Sequence, residues 1–279
     1  MKSKRSVKKK NIEMAFINVV LYPTEKQKTS EYINLLSSIM GDRVMVYTST
    51  SSNRATLLRV FDKIDDYYHG FFCNAIFSNE DSKTLNVKEN TLENAVIDPN
   101  KGLDAKDMEF WFFPKRHRFA VYKSDVNRIS KFLFHSFKFK FGDEDKFAIN
   151  IEKDKDTIER IISSEAVTSV KVSVRYTNND NLEDWESLDA DLRNSDTTQA
   201  ELSLKSSKAK PIKVKCNNIL KAFLQLSRSY GTAKAEIVND EGRTVKIDTK
   251  NHPKTVVVDM NQNPAVELNN TIEDIANNR

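Results

Sequence analysis

Apolar residues recur along this chain with two periods, and the periods predict most of its elements. Residues 12–22, IEMAFINVVLY, form a dense apolar run with the β-branched and aromatic content of a strand buried on at least one face. Pro23 and Thr24 end it. Tyr32, Ile33, Leu36, Ile39 and Met40 then fall three and four positions apart, which places them on one face of a helix. Thr24 or Thr29 is its expected cap, and Gly41 its expected left-handed stop. Residues 44–47 predict a further strand. The stretch RATLLRVFDKIDDYYHGFFCNAIF, residues 54–77, favours strands over one long helix, with a bend at Asp65-Asp66. Residues 78–108 are rich in Asn, Asp, Glu and Lys and read as a long polar excursion.

Beyond it, residues 109–113 and 119–122 predict two strands flanking the basic tip PKRHR. Ser124-Asp125 reads as a cap. Val126, Ile129, Phe132, Leu133 and Phe137 keep helical spacing after it. FAINIEK predicts a strand, DTIERIIS a short helix, and TSVKVSVRY a strand with Val170, Val172 and Val174 alternating. Later, ILKAFLQLSRSYG predicts a helix ending at Gly231. AKAEIV-NDEG-RTVKID predicts a hairpin. The chain beyond Pro264 is Asn-rich and predicts at most a short terminal helix. This order implies an α+β fold, a mixed sheet with a split βαβ (ferredoxin-like) element, and a C-terminal helix plus β-hairpin. The expected division is a basic disordered arm over 1–11 and an α+β domain over 12–180. An acidic linker over 181–204, a basic helix and hairpin subdomain over 205–265 and a polar tail over 266–279 complete it.

Charge changes this picture by its distribution. The 279 residues carry 44 Lys and Arg against 40 Asp and Glu, but residues 1–10 hold six of the bases and no acid. Without the arm the balance is 38 to 40, so the body is near neutral. Residues 202–235 hold eight bases and no acid, and residues 111–140 hold eight against one. Such blocks, if they meet on one face, bind phosphates by counterion release. The expected phosphate-contacting residues are Lys115, Arg116, His117, Arg118, Lys213, Lys215 and Arg228.

Enzymatic motifs are few. No phosphate-cradling glycine loop, nucleophile elbow or HExxH is present. Asp248 and Lys250 in VKIDTK, with Glu236 upstream, have the D-x-K spacing of Mg²⁺ nucleases, in which carboxylates hold the ion and the lysine orients water. A solvated hairpin face is the simpler account of them. Arg128 and His135 on one helix have the spacing of an R-x4-6-H ribonuclease motif, with His135 expected at the edge of the apolar face. Cys73 and Cys216 are far apart and the four histidines scattered, so no metal site and no cofactor are expected. No apolar run reaches the ~20 residues of a membrane span, and a cytoplasmic location is expected.

The stretches KRHRFAVY, FAINIEKDKDTIERIISSEAVTSVKVSVRYTNND and SYGTAKAEIVNDEGRTVKIDTKNHP together resemble a family of bacterial proteins catalogued only as a domain of unknown function. The resemblance spans the chain. It implies a bacterial cytoplasmic protein, in a family suspected in phage-defence or mobile-element loci, and supplies no catalytic residues. The leading expectation is a non-catalytic protein that binds DNA or RNA through the phosphate backbone, as a component of an anti-phage defence system. The alternatives are a Mg²⁺-dependent nuclease, and an interaction protein or homodimeric regulatory subunit with a protein partner.

Overall fold

A computed structural model describes residues 11–47, 53–77, 83–86, 88–94, 101–175, 186–195, 197–239 and 242–277. The arm over 1–10, the Asp240-Glu241 turn expected from the sequence, and Trp185, which the sequence places with Leu188 and Leu192 in one amphipathic helical turn, lie outside them. The elements run β1 (Asn11–Leu21), α1 (Thr29–Gly41), β2 (Val46–Tyr47), β3 (Arg54–Ile64), β4 (Tyr67–Phe77), β5 (Lys83–Asn86), β6 (Thr91–Asn94), β7 (Gly102–Phe113), β8 (Arg118–Tyr122) and α2 (Val126–Phe141). They continue with β9 (Phe147–Ile151), α3 (Lys155–Ser163), β10 (Val167–Val174), α4 (Glu186–Asn194), β11 (Ala200–Lys205), α5 (Asn218–Tyr230), β12 (Gly231–Val238), β13 (Thr244–Asp248), β14 (Thr255–Asp259) and α6 (Pro264–Asn277).

The fold is α+β, but its sheets are not mixed. Every ladder among the described residues is antiparallel. The large sheet has eight strands, ordered β14-β1-β8-β7-β4-β3-β2, with β9 also on β1. A second sheet has the order β11-β10-β12-β13, and β5 and β6 make a separate ribbon. The expected split βαβ fails for a topological reason. The strands on either side of α3, β9 and β10, belong to different sheets, so α3 is a bridge between sheets and not a crossover within one.

Several segments with weak apolar periodicity turn out to be ordered. The polar excursion holds the β5–β6 ribbon and the first half of β7, whose side chains over 103–107 stay exposed while the backbone pairs with β4. The acidic linker contains most of β11, and α4 forms where the helical turn of Leu188 and Leu192 is expected. The tail's described residues belong to a 14-residue helix, α6. The αL residue after α1 is Arg43, two past the expected Gly41.

β1 organises the cores by alternation. Ala15, Ile17, Val19 and Leu21 face α1 and α2, together with Phe110, Phe112, Phe119 and Phe132. Met14 and Phe16 face the other way, onto Leu268 and Ile272 of α6, with Trp111 and Phe113. Further along that same side, Val20 and Tyr22 join the core of the second sheet with Ile158, Ile161, Leu224 and Tyr230 of α3 and α5. One face of the large sheet is thus shared between α6 and the second sheet's helices. Between the two apolar pairs stands Asn18, fully buried.

A candidate anion-binding cleft between the two cores

The strand pairing of β1 creates the polar seam that Asn18 marks. On one edge of β1, β14 pairs with residues 11–15 and β9 with residues 17–21. Two different strands therefore meet end to end beside Phe16. The Glu152 amide donates to the Phe16 carbonyl at 2.9 Å, the Lys254 amide to the Glu152 carbonyl at 2.8 Å, and Lys153 bridges to Pro253. The chain leaving β9 and the chain entering β14 fix each other's position, and both turn their side chains into the gap between α6 and α5.

Charged groups occupy that gap. Arg118 lies opposite Asn18 in the β1–β8 ladder and has no exposed surface. Its Nε donates to Glu152 Oε1 at 2.9 Å, and its Nη1 donates to the Arg116 carbonyl at 2.6 Å. Ser229 Oγ donates to the other Glu152 oxygen, and Asn18 Nδ2 donates to the Ser229 carbonyl at 3.2 Å. Removing one partner of such a buried pair costs about 3–5 kcal/mol, because the other charge is stranded. The cluster ties β1, β8, the end of β9 and the end of α5 together.

Lys153 follows at once. It is 5% exposed, its amide donates to the Arg228 carbonyl at 3.0 Å, and its Nζ donates to the Ile151 carbonyl. Burial pulls its ammonium down to about 8, against the opposing charge of Glu152. Arg228, half-buried on the last turn of α5, is also lowered by burial, opposed by Glu152, Glu159 and Asp154. Together with Lys155, Lys254 and the α6 residues Thr271, Asp274 and Ile275, these residues line a cleft of about 460 Å³. Among the described residues, no carboxylate lies within ion-pair distance of Lys155 or Lys254. The arrangement can hold an anion against several cations from three separate chain segments.

The basic tip is built differently from a free phosphate-binding loop. Residues 114–116 make a single 3-10 turn that His117 ends with φ +54°, where a left-handed residue reverses the chain. His117 is buried and stacks on Tyr32 with ring centroids 4.2 Å apart. Arg116 makes a two-pronged pair with Glu273 of α6, whose carboxyl this hydrogen bond holds below the usual range. Lys115 alone of the four projects into solvent, paired with Asp66 at 3.1 Å. Three of the tip's cationic side chains therefore hold the fold.

The other expected residues are scattered. Lys213 and Lys215 are exposed around a 3-10 turn at the start of α5, about 15 Å of helix rise from Arg228 at its end. Glu236 pairs with Lys246 at 3.4 Å and Asp248 with Lys234 at 2.9 Å, across the outer face of the β12–β13 hairpin. β13 ends at Asp248, and Lys250 sits in the following 3-10 turn, so the two do not share a strand face. Asp248 instead caps that turn, accepting from the Lys250 amide at 3.1 Å. Burial works to raise the Asp248 carboxyl, but the Lys234 hydrogen bond, that amide and both lysine charges outweigh it and lower it. Asp248 and Lys250 do act on Lys153, with opposite signs. Arg128 pairs with Asp125 at 3.4 Å, and His135 is exposed, not at the apolar boundary expected of it.

Among the described residues, no group of three or more His, Cys, Asp or Glu side chains is placed to hold a metal ion, and no helix is long and apolar enough to cross a membrane. The residues that sequence reasoning missed are Asn18, Glu152, Lys153, Lys155, Ser229 and Lys254. One signal pointed there: Asn18 is the lone polar side chain in MAFINVVLY. No curated protein matches the chain. A family model does match, over residues 10–277, which takes in both sheets, α6 and the whole cleft, and by that match the chain belongs to the family described as a domain of unknown function, DUF4747.

Proposed function

We propose that this protein is a non-catalytic nucleic-acid-binding protein whose phosphate contacts centre on the cleft between α5 and α6. The observation that carries the reading is the convergence of Lys153, Lys155, Arg228 and Lys254 there, from the β9–α3 junction, α5 and the approach to β14. Cations from distant sequence positions on a body otherwise near neutral mark a place where negative charge is wanted. Lys115 and the arm would add non-specific attraction. In this reading the protein acts in the bacterial cytoplasm, in the anti-phage setting that the resemblance implies. The test is retention on DNA and RNA across a salt series. Lys155→Glu with Lys254→Glu is expected to weaken binding at least tenfold at low salt, and to lower the salt slope by about one for each phosphate that is no longer neutralised. Unchanged affinity and slope would refute the proposal.

A second reading, self-association, has its own observation. Met45, Tyr47 and Phe139 are large apolar side chains 42%, 51% and 70% exposed around the short edge strand β2. An open edge beside exposed apolar groups invites pairing with another chain. Light scattering is expected to show a dimer that Phe139→Glu dissociates; a monomer at all concentrations removes this reading.

A further inference from the structure

We propose that the cleft receives the phosphorylated end of a nucleic-acid strand, a single terminal nucleotide, and does not pass the strand through. This rests on the nucleic-acid reading above and names the part of the polymer that is recognised.

At about 460 Å³ the cleft is on the scale of a pocket for one small ligand. A channel that tracks a backbone is an open groove several nucleotides long. Here the inner end is closed, because Glu152 and Lys153, 2% and 5% exposed, form a floor anchored by backbone hydrogen bonds to β1, to Lys254 just before β14 and to Arg228 of α5. A blind site takes a chain end.

Glu152 is already engaged by Arg118 and Ser229, and Asp274 lies on the α6 wall. Against these two lining acids stand Lys153, Lys155, Arg228 and Lys254, with Glu159 and Asp154 also drawing on the charge of Arg228. An internal phosphodiester carries one negative charge. A terminal phosphomonoester carries between one and two at neutral pH, and so better matches Lys155 and Lys254, which have no carboxylate within ion-pair distance among the described residues. Lys153 reinforces this. Burial draws its ammonium toward the neutral form, and a dianion docked beside it would hold the proton in place. Val256 and Ile275 give an apolar surface for a sugar or base edge, beside Thr271 of α6.

The experiment uses the full chain and fluorescently labelled ten-residue single strands of DNA and RNA. Each carries a 5′-phosphate, a 3′-phosphate or hydroxyls at both ends, with a nucleoside monophosphate as unlabelled competitor. One phosphorylated end is expected to bind at least tenfold tighter than the hydroxyl control and to be displaced by the monophosphate. Arg228→Gln is expected to abolish that preference while leaving residual salt-sensitive binding. Lys254→Gln, at the rim of the cleft, serves as the second variant should Arg228→Gln lose its thermal transition. Equal binding of all three ends overturns the inference and leaves the nucleic-acid reading standing. Binding of the monophosphate alone, with no strand bound, overturns the nucleic-acid reading and with it this inference, and leaves a mononucleotide site in their place. No binding of either overturns both.

Discussion

Lys153 shows how one residue's meaning depends on its depth. In the sequence it is one lysine in the run EKDKD, with nothing to separate it from Lys155 two positions on. In the fold Lys155 opens the exposed first turn of α3, while Lys153 is pinned under the cleft. Its titration then enters stability. The folded value, about 8, lies below the ordinary 10.5, so the unfolded chain holds the proton more firmly. Below pH 8 both states are protonated and the fold carries a constant penalty. Between about pH 8 and 10.5 the unfolded state binds more protons, and this residue's contribution to stability rises with pH. Lys153→Met is expected to remove the penalty, at most about 3 kcal/mol from the size of the displacement, and to flatten that rise. Denaturant midpoints of both proteins from about pH 7 to 10 measure it.

His117 and Arg118 carry the same lesson with opposite consequence. Composition counts them as available positive charge. The structure uses the first as a buried left-handed corner and the second as half of a buried pair. Counting charges along a sequence cannot say which have found a partner 34 positions away, as Arg118 has in Glu152.

Elements were legible where a period was strong. α1, α2 and α5 announce themselves by apolar residues three and four apart, and the β3–β4 hairpin turns at Asp65-Asp66 as its sequence predicts. Elements with little apolar content were not. β11 buries no residue fully, since Leu202 and Leu204 are only partly covered, and α4, short and acidic, shows in the sequence only as one turn carried by Leu188 and Leu192. Their order comes from pairing and docking, which leave little trace in local pattern. The junction of α5 and β12 shows what such docking demands. The chain passes straight from helix to strand at Gly231, where an added Cβ would collide with the Ser173 carbonyl oxygen of β10. Gly231→Ala is expected to cost about 1–3 kcal/mol, as overpacking does, by forcing β12 off β10. Thermal melting checks it, with Gly242→Ala, where nothing lies within 4 Å of the new carbon, as the contrast for backbone conformation without crowding.

At the scale of the molecule, the last part of the chain completes the first sheet. β14 pairs with β1, and α6 covers Met14, Phe16, Trp111 and Phe113, all at most 5% exposed. Arg116 clamps α6 from the tip. Helix, sheet edge and one wall of the cleft thus depend on residues that a linear reading leaves as tail. Leu268→Ala is expected to cost about 2–5 kcal/mol through the cavity it leaves. A chain ending at Asn263 is expected to bind a hydrophobic dye and lose its cooperative transition. Either truncation with a wild-type melt, or Leu268→Ala with no loss, would contradict this account of α6.

The amino-acid sequence by itself determined the α+β class, the helices with strong periods, the hairpins and the near neutrality of the body behind a basic arm. These are local quantities: spacing, turn chemistry and charge per segment act over a few residues. Only the tertiary structure decided that α3 bridges two sheets, that β9 and β14 meet end to end on β1, and that Glu152, Lys153, Arg228 and Lys254 surround one cleft. Those are long-range facts, set by which strands pair and which faces bury. A gap between two apolar cores acquires its chemistry from whatever side chains the pairing delivers there.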